Sequence, residues 1–127
     1  VVGTITANSM VSRGVGALAK DLRATKSSDY TILSSLDYGV QFDNFGSTQA
    51  VSFTLPLATA GTKYGFCSAS SQVGITVLST SAQIALGTAV STGMTVSSTY
   101  NYSYAELEAI STSIWVAKTF TGNWMVT

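Results

Sequence analysis

Histidine is absent from this chain of 127 residues, and cysteine and proline occur once each. Without histidine, the most common general base and metal ligand in proteins is missing, so neither a Ser-His-Asp nor a Cys-His arrangement can be built. A lone cysteine, Cys67, excludes an intramolecular disulfide and a multi-cysteine metal site. Because it lies between Phe66 and Ser68 in an alternating stretch, we expect it to be a small buried residue.

Charged residues are also scarce. They make up 9% of the chain, with six basic and six acidic residues and no net charge, whereas about 25% is usual. A neutral domain has no electrostatic footprint for nucleic acid. No apolar run approaches the ~18 residues of a membrane span, and no signal-peptide pattern opens the sequence. We therefore expect no nucleic-acid partner and no membrane partner.

Small and hydroxylated residues take the place of charge. Serine and threonine total 37 residues, beside 14 alanines and 11 glycines, and 46% of the chain is hydrophobic. That hydrophobic content argues against disorder, which combines low hydrophobicity with high charge. Such a composition has two interpretations. Either the strands expose Ser and Thr on their outward faces, or the chain buries part of its surface against other copies of itself. Both interpretations predict a β-rich oligomer.

Short alternating segments follow one another from Tyr30 onward. Val51, Phe53 and Leu55 share one predicted strand face, and Ser52 and Thr54 share the other, which is the period of a β-strand. The length is that of one domain. We predict an all-β fold, a compact β-sandwich or barrel-like domain of about ten short strands, with an N-terminal arm or short helix. The predicted strands are 30–34, 39–42, 50–55, 63–69, 74–78, 82–86, 94–98, 104–110, 114–120 and 123–126.

The single proline marks the end of one of these strands. Pro56 cannot donate to a strand ladder, so it ends the strand at 50–55, and Gly61 supplies a permissive turn before the next strand. Large apolar residues on the inward faces are expected to form the core: Phe42, Phe53, Leu55, Phe66, Leu107, Trp115 and Trp124.

Residues 1–29 differ from the β-domain predicted over 30–127. They carry four of the six basic residues, and Leu18 and Leu22 have the i,i+4 spacing of a short helix. Two interpretations remain open: an arm packed on its own domain, or an arm that docks on a partner. The docking candidates are Arg13, Leu18, Lys20, Leu22, Arg23 and Lys26.

Two further sets of residues could carry a site. Tyr100, Tyr102 and Tyr104 alternate, which predicts an aromatic stripe for a subunit interface or for a sugar or receptor. Glu106 and Glu108 could form the carboxylate pair of a glycosidase that acts on polysaccharide. Since the same spacing is typical of any solvated strand face, we expect no enzyme and no catalytic residue. We also expect no cofactor, and no metal site because no dense oxygen-ligand loop occurs.

A recurring order of residues links this chain to a known group of domains. "DYGVQFDNFGS" places Asp37, Gly39, Phe42, Asn44 and Gly46 in a D-x-G-x-x-F-x-N-x-G pattern. Further matches are Thr54-Leu55-Pro56, Gly61, Tyr64, Phe66, Leu107, Ala109, Ile110, Trp115 and Gly122-x-Trp124. From about Tyr30 to Trp124, the chain resembles the small β-domains of tailed-phage virion proteins, such as head fibres, capsid decoration proteins and tail-fibre segments.

The resemblance implies a structural role in a virion, often as a homotrimer. A trimeric capsid decoration (cement) or head-fibre protein is the expected function, located on the outer capsid surface and attached to the major capsid protein by the arm. The alternative is a host-recognition tip or trimerisation domain of a tail fibre or tailspike, located on the tail fibre. A host-surface glycan is a further candidate partner.

Overall fold

The structure, a computed structural model, describes residues 22–97 and 102–127. These residues form twelve β-strands and no helix, so none of them belongs to an apolar helix of membrane-spanning length. The strands are β1 (Arg23–Thr25), β2 (Tyr30–Thr31), β3 (Gln41–Asp43), β4 (Val51–Thr54), β5 (Lys63–Ser68), β6 (Ile75–Leu78), β7 (Gln83–Leu86), β8 (Ala89–Ser91), β9 (Gly93–Val96), β10 (Ser103–Ser111), β11 (Ile114–Thr121) and β12 (Met125–Val126).

The strands form two mixed sheets that pack as a sandwich, and the predicted all-β fold is confirmed. Sheet A has seven strands in the order β1-β3-β5-β10-β11-β7-β8, and sheet B has five in the order β12-β9-β6-β4-β2. Each of the ten predicted segments overlaps one strand. Strands β1 and β8, which are three residues long and lie at the edges of sheet A, were not predicted from the sequence.

The first six strands wind between the sheets. The chain alternates from sheet A to sheet B, so that β1, β3 and β5 are parallel neighbours in one sheet and β2, β4 and β6 in the other. This is the connectivity of a solenoid, in which each turn stacks on the previous one. The antiparallel pair β10–β11 then extends sheet A, and β9 and β12 extend sheet B.

This winding sorts the connections into two ends of the sandwich. At the lower end lie Leu22, the crossings 32–40, 55–62 and 79–82, and the β10–β11 turn. At the upper end lie the crossings 26–29, 44–50, 69–74 and 122–124, and the β7–β8 turn. Pro56 ends the pairing of β4 and opens one of the lower crossings, as its chemistry predicts.

An aromatic cluster fills the space between the sheets. The Phe42 ring lies 5.7 Å from that of Tyr30, 5.3 Å from Phe53 and 5.9 Å from Phe66, measured between ring centroids. Tyr64 continues the cluster to Trp115 at 5.8 Å. The seven residues that the sequence analysis assigns to the core are all buried.

Cys67 departs from the expected burial. In β5 the side chains of Tyr64, Phe66 and Ser68 face the core, so Cys67 lies on the outer face of sheet A, where it is only half-buried. Partial burial raises the pKa of the Cys67 thiol, although the nearby Arg23 opposes that effect. The thiol is therefore a poor nucleophile at neutral pH.

The boundary predicted at residue 29 lies inside the fold. Arg23–Thr25 form β1, which pairs in parallel with β3, and Ala24 packs against the core. Residues 23–29 are thus part of the β-domain. The rest of the predicted arm, residues 1–21, lies outside the described residues.

Removing the hydroxyl of Tyr64 tests the packing of the aromatic cluster. The Tyr64 hydroxyl is buried without a hydrogen-bond partner among the described residues, and this burial raises its pKa from 10.0 to about 12. Tyr64→Phe should therefore leave the free energy of unfolding at neutral pH unchanged or higher. Tyr104→Phe is the matched control, because Tyr104 Oη donates to Gln41 Oε1 at 3.1 Å and its loss should cost about 0.5–1.5 kcal/mol.

The same variant carries a pH signature. Between pH 10 and about 12 the unfolded tyrosine ionises while folded Tyr64 stays protonated, so the parent loses stability as pH rises through this window. Tyr64→Phe should lose less, as measured by urea unfolding at neutral pH and within that window. A neutral-pH loss as large as that of Tyr104→Phe would contradict the assignment.

Candidate interaction surfaces

The outer face of sheet A collects the charge of the molecule. Of the nine charged residues in the described ranges, six lie on it: Arg23, Asp43, Lys63, Glu106, Glu108 and Lys118. Glu108 pairs with Lys118 at 3.1 Å and lies opposite Lys63 in the strand register. The hydrogen bond to Glu108 raises the pKa of Lys118 above its usual value. The two glutamates thus belong to an ion-paired strand face, and the described residues bring no third acidic or metal-ligating side chain to them.

A buried carboxylate fixes the edge of this face. Asp43 accepts hydrogen bonds from Thr25 Oγ1 at 2.8 Å and from the backbone N–H of Phe45 at 2.9 Å. Arg23 Nε lies 2.9 Å from its second oxygen, and the Asp43 side chain is only 2% exposed. The network ties β1 to β3 and anchors the start of the 44–50 crossing.

The docking candidates fall into two groups. Arg13, Leu18 and Lys20 lie outside the described residues. Among the others, Arg23 is occupied by Asp43, and the Lys26 ammonium lies 3.8 Å from the centroid of the Tyr30 ring. Leu22 is 71% exposed. The Arg23 side chain is 60% exposed but is held by its ion pair, so among the described candidates Leu22 alone is exposed and makes no ion pair or ring contact.

The strands of sheet B carry no charged side chain on their outer face, and Asp29 lies at its upper edge, where it accepts a hydrogen bond from the Ser52 N–H at 2.9 Å. Ser52, Thr76, Thr95 and Met125 lie side by side across four strands, and the Thr76 and Thr95 hydroxyls are 3.0 Å apart. The next row contains Thr31, Thr54 and Leu78. We call this surface the threonine face. It matches the hydroxylated outward strand faces that the composition predicts.

The lower end is apolar. Six of the twelve exposed large hydrophobic residues in the described ranges lie there: Leu22, Leu33, Leu36, Tyr38, Leu57 and Ile110. Backbone hydrogen bonds link their segments, from Gln41 N–H to Leu22 O and from Gly61 N–H to Ala109 O. Leu57 is 72% exposed and Leu36 is 67% exposed. Exposed apolar side chains gathered at one end make that end a candidate interaction site.

Sequence reasoning did not find this apolar end. Its leucines lie in turn-rich crossings, where no periodic alternation distinguishes them from core residues. The only available signal was the presence of leucines in segments that lack the alternation of a strand, as in "TILSSLDYG" and "LPLATAG". Their exposure follows from the winding, which brings the crossings together at one end.

The predicted tyrosine stripe is not continuous. Tyr100 lies outside the described residues. Tyr102 has a φ of 65° and is 65% exposed, so the chain turns there and Tyr102 does not share a strand face with Tyr104. Tyr104 lies on the outer face of sheet A, where its hydroxyl binds the Gln41 side chain that covers Gly65.

The residues of the D-x-G-x-x-F-x-N-x-G pattern shape the backbone and core. Asp37 Oδ2 accepts hydrogen bonds from Tyr30 Oη and the Leu33 N–H, while Phe42 centres the aromatic cluster. Gly39 and Gly46 have φ angles of 76° and 74°, which favour glycine. The pattern therefore specifies local structure. No protein-family model and no curated protein matches this chain.

Replacing Arg23 tests whether β1 belongs to the fold. Arg23→Ala leaves the buried Asp43 charge without its cation, so we expect the free energy of unfolding to fall by about 1–3 kcal/mol. Lys118→Ala is the matched control, because the Lys118–Glu108 pair is exposed and solvent-screened, and its loss should be much smaller. Urea unfolding at low ionic strength measures both. Equal stability of Arg23→Ala and the parent would return Arg23 to the docking candidates.

Proposed function

We propose that this protein is a structural component of a phage virion, a trimeric capsid decoration or head-fibre protein that docks by its lower end. The apolar end carries this proposal. It presents six large hydrophobic side chains at the end where the chain enters the β-domain through Leu22. Residues 1–21 therefore join the domain beside the apolar end, and both can contact one partner surface.

The distribution of charge supports attachment by an end rather than by a face. Sheet A exposes ion-paired strands that are well solvated without a partner. The exposed leucines of the lower end take part in no such ion pairs. Burying one leucine side chain against a partner stabilises the complex by about 1.5–3 kcal/mol. Three copies held together would combine three such contacts through effective concentration.

The threonine face is the proposed contact between copies. Its strands carry hydroxyls, Leu78 and Met125 and no charged side chain. Around a three-fold axis, one part of this face would meet a different part of the same face on the next copy, and the strands would bring no like charges together there. Strand faces that contact only solvent usually carry Lys and Glu, and these charges oppose association between copies. The sheet A face fits this role less well, because its exposed ion pairs would have to lose their water on burial between copies.

Two leucines at the apolar end provide the test. Leu36→Ser/Leu57→Ser should weaken co-sedimentation of the full chain with empty capsids of its virus by at least about a hundredfold. Both residues are exposed, so the fold should persist. Sedimentation velocity of the same samples should give trimers for parent and variant alike, since the threonine face is unchanged.

The matched control removes two exposed apolar residues elsewhere. Val90→Ser/Phe120→Ser leaves the lower end intact and should co-sediment like the parent. If the leucine variant binds capsids as well as this control does, docking by the lower end is wrong. That result, with the trimer retained, would favour the tail-fibre tip or trimerisation domain instead.

A further inference from the structure

The upper end contains a cleft that docking at the lower end does not use. It lies between the crossings 44–50 and 69–74 and has a volume of about 220 Å³. Phe45 and Tyr102 line it, together with Gly46, Ser71 and Gln72. Strand direction places it at the opposite end of the sandwich from Leu36 and Leu57.

Buried hydrogen bonds hold the two crossings in place. Asn44 is fully buried, and its side chain accepts from the Ala69 N–H at 2.7 Å and donates to Val73 O at 3.2 Å. Ser70 Oγ donates to Ser47 O at 2.7 Å. These bonds link the crossings across the cleft. The cleft is therefore preorganised, which lowers the entropy cost of binding a ligand.

Two exposed aromatic rings define the chemistry of the cleft. Phe45 is 66% exposed and Tyr102 is 65% exposed. Tyr102 has a φ of 65°, a backbone conformation that a bulky residue rarely adopts. Such backbone is retained where surrounding structure enforces it, often at ligand sites. Ser71 and Gln72 are exposed beside the rings and offer a hydroxyl and an amide.

From this arrangement we infer that the cleft binds a neutral pyranose sugar at the end or branch of a glycan. The C–H groups of a pyranose face are apolar and weakly positive, so they pack on the negative face of an aromatic ring. The sugar hydroxyls can then bond to Ser71 and Gln72.

The size and the charge of the cleft restrict the ligands that it can bind. Pockets for drug-sized ligands measure about 300–1,000 Å³, so a cleft of about 220 Å³ suits a smaller ligand such as a single sugar ring. Among the described residues, no Asp, Glu, Lys or Arg lines it. A phosphorylated or acidic sugar would find no cation there, which favours a neutral one.

Titration of the isotope-labelled full chain with neutral sugars tests the inference. The probes are the methyl glycosides of glucose, galactose, mannose and N-acetylglucosamine, followed through backbone amide NMR shifts. At least one should give saturable shifts at millimolar concentration, confined to residues 45–47, 69–72 and 102. This assay contains no capsid and no docking surface, so its outcome is separate from that of the proposed function.

Two variants remove the rings without touching the buried bonds. Phe45→Ala and Tyr102→Asn should each weaken sugar binding by at least about tenfold. Asparagine is chosen because it tolerates the left-handed backbone of Tyr102. Tyr38→Ala, which removes an exposed ring at the lower end, should bind like the parent.

Three results would overturn the inference: no saturable shift with any of the four sugars, shifts located outside the cleft, or parent-like affinity in both ring variants. Saturable shifts at the cleft with short neutral peptides but with none of the sugars would assign the site to a peptide and would also overturn it.

Discussion

The packing of the Phe42 ring between the two sheets is the constraint on which this structure depends. Phe42 belongs to β3 of sheet A, and it contacts Phe53 of sheet B as well as Phe66 of its neighbouring strand. These contacts join successive turns of the winding as well as the two sheets. Large aromatic residues bury more area than any other side chains, and paired rings add stability beyond that area. A chain with so few charges and so many small residues relies on such a cluster for its cohesion.

The winding that this cluster stabilises also separates the surfaces of the molecule. Because the chain crosses between sheets at each turn, its crossings gather at two opposite ends, one with exposed leucines and one with the aromatic cleft. The strand faces between them differ in charge: ion pairs cover sheet A, and hydroxyls cover sheet B. Each proposed partner would thus have a surface of its own: the capsid at one end, other copies at one face and the sugar at the other end.

Alternation along the strands was enough to predict ten of the twelve described strands and the core. Phe53 and Trp115 are buried where their period places them, and Pro56 ends β4 as its missing N–H requires. Pairing partners could not be predicted, because a period of two specifies which side of a strand faces the core but not which strand lies beside it. Strand β1 was not predicted because the sequence does not show that Arg23 pairs with Asp43. Arg23 was therefore interpreted as a basic residue of the arm. The apolar end and the cleft were missed for a related reason, since loops from distant parts of the chain build both.

The proposed docking by the lower end is tested most directly by hydrogen–deuterium exchange of the full chain, alone and mixed with empty phage capsids. The account predicts that capsid binding slows exchange in the lower crossings 32–40 and 55–62 and in the β10–β11 turn. Exchange in the upper crossings 44–50 and 69–74 should not change. Slower exchange confined to the upper crossings, or unchanged exchange throughout the lower end, would contradict it.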